Sequence, residues 1–94
     1  MPKGVRGSAR LKEIERAKEA KRKREARVMM GGENQVKNAL SMAYGMKKGS
    51  ARTVLENAKT QLENRRLDFA DSDRVTGFLK RLESRIQTEL DRLG

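Results

Sequence analysis

Between Val75 and Leu93, the residues Val75, Phe78, Leu79, Leu82, Ile86, Leu90 and Leu93 keep one side of the chain apolar at spacings of three and four. Such spacing fits an α-helix buried along that side and little else. Asp71 or Ser72 supplies the start signal for this helix. Upstream, Ala51, Val54, Leu55, Ala58 and Leu62 form a second apolar face, with Ser50 as the expected cap and an end near Leu67. The short loop through Asp68–Asp71 predicts that these two helices fold back on each other as an antiparallel hairpin. A third stripe, Val36, Ala39, Leu40 and Ala43, predicts a helix over residues 33–44 that closes the hairpin's open side, with residues 45–49 as connector. Alternation of apolar and β-branched residues is absent throughout, so the expected fold class is all-α.

The first third differs from this pattern. Residues 8–30 are rich in Ala, Arg, Lys and Glu, all strong helix formers, yet offer almost nothing to bury. Ser8 is the expected cap, residues 1–7 read as a mobile basic arm, and Gly31-Gly32 is the expected end of the helix and a hinge. Glu15–Lys18, Glu19–Arg22 and Glu19–Lys23 stand in the favourable order for helix-surface pairs worth about 0.2–0.5 kcal/mol each. The expected organisation is a basic arm and helix over residues 1–30, joined to a small three-helix module over residues 31–94.

Charge follows the same division. Residues 1–30 carry 11 Lys/Arg against 4 Asp/Glu, whereas the remaining 64 residues carry 12 against 9. A polar helix with concentrated positive charge is built to meet something outside the fold, and a polyanion answers that charge best. At about 100° per residue, Lys12, Arg16, Lys23 and Arg27 share a sector of roughly 60° that holds no acidic residue. The run Lys21, Arg22, Lys23 and Arg24 adds local charge density. On the last helix, Arg74, Arg81, Arg85 and Arg92 share one flank of the apolar stripe, and a guanidinium suits phosphate or carboxylate alike. They can therefore form a second phosphate-contacting edge, or Arg81 and Arg85 can pair with Glu56 and Glu63 across the hairpin. Gly45, Lys47, Lys48 and Gly49 form a small basic loop that lacks the Walker A pattern and any preceding strand. Met29, Met30, Met42 and Met46 read as gap fillers in a small core, or as an adaptable patch for a partner.

Several classes fall away. The chain has no Cys and no His, which removes disulfides, thiolate or imidazole metal sites and the common nucleophile–base pairs. No apolar run exceeds three residues, so neither a membrane span nor a signal-peptide core is present. The sequence therefore predicts a non-catalytic protein with no cofactor, no metal, no small-molecule substrate and no membrane partner. Its expected place is intracellular (cytoplasm, nucleoid or nucleus) or inside a virion rather than secreted. The expected partner is duplex DNA or structured RNA, held largely without sequence specificity through the phosphate backbone. Scarce aromatics (Tyr44, Phe69 and Phe78) argue against stacking on single strands. The competing expectation is a structural or interaction protein, such as a virion or scaffold component or an inhibitor of a host complex, whose charged helix docks on an acidic protein surface. In that case the Leu79, Ile86, Leu93 register could pair between copies.

Overall fold

Ser72 sets the start of the last helix. Its backbone is extended and its hydroxyl accepts from the Val75 amide at 3.3 Å, which satisfies one of the amide donors that a helix N-terminus leaves open. In the computed structural model, which describes the backbone of residues 2–94 and the side chains of residues 11–94, this helix is one of three: α1 (Pro2–Tyr44), α2 (Lys48–Asp68) and α3 (Asp73–Leu93). The described residues contain no strand, and the fold is all-α. Thr76 ties the turn before α3 by donating its hydroxyl to the Phe69 carbonyl at 3.3 Å.

The apolar stripe of α3 is buried as its spacing requires: Val75, Leu79, Leu82, Ile86 and Leu90 all lie in the core. Facing them are Ala51, Leu55, Ala58 and Leu62 of α2, and Val28, Val36 and Ala39 of α1. Polar pairs show the direction of α2 against α3. Lys59 donates to Gln87 at 2.7 Å, and Arg66 grips Glu83 through two bonds of 2.9 and 3.3 Å, so residues ascending in α2 meet residues descending in α3. Leu79 and Ile86 are fully buried in this intramolecular core, which leaves them unable to form the seam between copies that their register suggests.

Two expected boundaries move. The first helix starts at Pro2, whose fixed φ suits a first helical position, so Ser8 lies inside it rather than capping it. Likewise α2 starts at Lys48: the Ala51 amide donates to the Lys47 carbonyl at 2.8 Å, closing the first turn before Ser50 can act as a cap.

The larger correction concerns Gly31-Gly32. The expected end does not occur there, and α1 runs through both glycines as a single 43-residue helix. Gly32 is buried where three leucines converge. A Cβ on it would stand 2.9 Å from Leu79 Cδ2, 3.2 Å from Leu82 Cδ1 and 3.3 Å from Leu62 Cδ2. The residue is glycine because α1 lies too close to the α2–α3 pair for a methyl group. At Gly31 the corresponding neighbour is the Arg65 guanidinium, 2.9 Å away, the free end of a long side chain. The two glycines should therefore respond oppositely. Gly31→Ala lets Arg65 swing aside and stabilises the helix by about 0.5–1 kcal/mol. Gly32→Ala overpacks the core by forcing the ends of three buried leucines to shift together, and costs about 1–2 kcal/mol after the helical gain is subtracted. Chemical denaturation of the two variants checks the sign of each change.

Packing begins at Glu25 and Val28. Every described side chain from Leu11 to Arg24 is exposed, including the apolar Leu11 and Ile14. The N-terminal part of α1 thus projects beyond the bundle, and the molecule is an extended body of 70 × 19 × 14 Å.

Candidate nucleic-acid interface

Helical geometry fixes which way the cations of α1 point. The buried residues Val28, Gly32, Val36 and Ala39 mark the inward side of that helix. At about 100° per residue, the sector of Lys12, Arg16, Lys23 and Arg27 lies on the opposite side, and all four side chains are exposed. They span about 22 Å of helix axis at 1.5 Å per residue. Glu19 borders the sector and sits 3.7 Å from Lys23, with both side chains about two-thirds exposed. An exposed pair of this kind is worth less than about 1 kcal/mol, so it leaves Lys23 able to exchange partners. The same outward line continues past Arg27 to Asn34 and the exposed Lys37, a cation that the break expected at Gly31-Gly32 had separated from the others.

The run Lys21, Arg22, Lys23 and Arg24 does not share one face of the helix. All four side chains are exposed, but a helix turns successive residues in different directions. Lys21 and Arg24 border a small cavity shared with Glu25, Asp68, Phe69, Asp71 and Ser72. They face the turn between α2 and α3, which carries the carboxylates Asp68 and Asp71. Lys23 alone of the four belongs to the outward sector, while Arg22 falls on the side nearer α3.

The arginines of α3 meet a different neighbour from the one expected. Glu83 and Gln87 form the flank that faces α2, and their partners are Arg66 and Lys59. Arg74, Arg81, Arg85 and Arg92 occupy the other flank, on the side of α1, so Arg81 and Arg85 do not reach Glu56 or Glu63. Arg74 and Arg81 line a groove of about 420 Å³ with Ala26, Met29, Met30, Glu33 and Phe78. Arg85 is exposed, and Arg92 lies 3.2 Å from Glu89 of its own helix. Met29 packs against the core, whereas Met30, Met42 and Met46 are exposed at groove edges rather than filling gaps within it.

Two cationic lines result, one along the outward side of α1 and one along the α1 side of α3. Arg65, above Gly31, adds a further guanidinium on the α2 side. The continuity of α1 with Lys37 and the position of Arg65 both depend on tertiary packing, and no local motif announces either. Among the described residues, no group of carboxylates is placed to hold a metal ion, and no helix is long and apolar enough to cross a membrane.

The chain matches no family model, no curated protein and no solved structure.

Proposed function

We propose that this chain is a non-catalytic nucleic-acid-binding protein that grips the phosphate backbone of duplex DNA or structured RNA through the outward side of α1, largely without regard to sequence. In this reading residues 1–30 make the contact, and the C-terminal half of α1 with the α2–α3 hairpin forms the anchor. One observation carries it: Lys12, Arg16, Lys23 and Arg27 stand exposed on the side of α1 that faces away from the chain's own core. Four cations in line release counterions when they meet phosphates, and each contact contributes about −0.9 to the slope of log K against log salt. The arginines of α3 supply a second set of contacts to a polyanion that bends toward the bundle.

The groove of Arg74 and Arg81 supports the second reading, a protein partner, because Met29 and Phe78 give it an apolar floor with Met30 at its edge. An acidic amphipathic segment would suit that combination. Titration of the chain against duplex DNA, structured RNA and heparin at two salt concentrations separates the readings. Phosphate gripping predicts affinity for the two nucleic acids that falls steeply with salt. Absent or salt-insensitive binding favours the protein partner.

A further inference from the structure

The chain contains seven carboxamide residues, and five of them, Asn34, Gln35, Asn38, Asn57 and Gln61, line one groove between α1 and α2. Charged residues make up 38% of the chain, yet Arg65 is the one charged member of this lining. Lys, Arg and Glu are the commonest residues on the exposed helix flanks elsewhere, and uncharged Ser and Thr such as Ser41, Thr53, Thr60, Ser84 and Thr88 are scattered among them. Here, by contrast, five carboxamides gather at one place. The groove encloses about 440 Å³ above a floor that includes Ala39 and Ala58, with Met42 and Val54 beside it. Gln35 donates to Gln61 across it, which leaves the Gln35 Oε1 buried with no partner. Asn34, Asn38, Asn57 and Gln61 are exposed.

A carboxamide offers a donor and an acceptor side by side and carries no charge. A ligand that fits this lining is flat, apolar on its faces, and has both donors and acceptors along its edge. Nucleobases have that form, and adenine pairs with Asn or Gln through two bonds at once. Position agrees with chemistry, because Asn34 lies on the same outward line as Arg16 and Arg27. A strand whose phosphates follow those cations passes the mouth of the groove.

We propose that the α1–α2 groove receives an unpaired nucleobase, adenine in preference to others, from a nucleic acid held on the outward side of α1. Its faces lie against Met42 and Val54, and its edge meets the carboxamide of Asn57 and the Gln61 Nε2 donor that the bond from Gln35 leaves free. The inference rests on the phosphate-gripping reading and adds a local base preference to it, since unpaired bases are the readable part of structured RNA and of duplex ends.

The test uses the full chain and a fluorescent hairpin duplex that carries a short overhang of adenines or of abasic positions, followed by anisotropy. The native protein should bind the adenine overhang about tenfold more tightly. Asn57→Ala combined with Gln61→Ala should erase that difference and leave the abasic affinity and its salt slope unchanged. Both positions are exposed, and Asn38→Ala probes the groove independently from the α1 side. Equal binding of both overhangs by the native protein, with steep salt dependence intact, overturns the groove and spares the phosphate grip. A preference that survives the double substitution also overturns the groove. Failure to bind either overhang defeats the phosphate grip and this inference with it.

Discussion

Ile86→Ala should cost about 2–5 kcal/mol, the loss expected when a fully buried branched side chain is cut back in a packed core. A domain of this size has about 5–15 kcal/mol of stability in all. Each kcal/mol moves the Tm of a domain under about 100 residues by roughly 4–8 °C. The variant should therefore melt well below the parent, and at the upper end of the range it unfolds outright. Ile14→Ala removes the same atoms from a site where the side chain is exposed, and should change stability by no more than about 0.5 kcal/mol. Melting curves followed by circular dichroism measure both. Equal melting of the two variants would mean that the core does not run along Val75, Leu79, Leu82, Ile86 and Leu90.

Changing Lys12, Arg16, Lys23 and Arg27 together to Gln should have the complementary effect. All four are exposed on the side of α1 opposite its buried residues, so the melting curve should remain close to that of the parent. Affinity for a duplex should fall at least about tenfold, because each lost phosphate contact removes its share of counterion release. The slope of log K against log salt should flatten by about 3.6. The pairing of Lys23 with Glu19 changes this little, since an exposed pair 3.7 Å apart yields easily to phosphate. Unchanged affinity in the variant would remove these four residues from the interface.

How much of this was legible in the sequence depends on how local each signal is. The apolar stripe of α3 and a start at Asp71 or Ser72 depend on spacing within one segment, and the structure keeps the stripe and selects Ser72 as the cap. The Gly31-Gly32 pair is the opposite case. A glycine that ends a helix and a glycine that admits a neighbouring helix look identical in sequence. The distinction rests on Leu62, Leu79 and Leu82 arriving together at Gly32, which only the packed helices reveal. The partners of α3 misled for a related reason. Periodicity puts Arg74, Arg81, Arg85 and Arg92 on one flank but does not say which helix that flank faces. Half of the ambiguity resolves once Arg66 takes Glu83 on the α2 side.

The outward sector of α1 needed only the arithmetic of a helix, whereas the compositional signal of the Lys21–Arg24 run overstated its unity. Two of its members face the turn that carries Asp68 and Asp71. Asn34, Gln35, Asn38, Asn57 and Gln61 are scattered over two helices, and their collection into one groove is a product of the α1–α2 contact.

Lysine acetylation with mass spectrometry, performed with and without a saturating duplex, tests the central claim most directly. Lys12, Lys23 and Lys37 lie along the outward side of α1, and Lys59 and Lys80 lie on α2 and α3. Protection of Lys12, Lys23 and Lys37, with Lys80 modified as fast as before, is the expected result. Protection of Lys80 while Lys12 and Lys23 stay fully reactive would contradict the account.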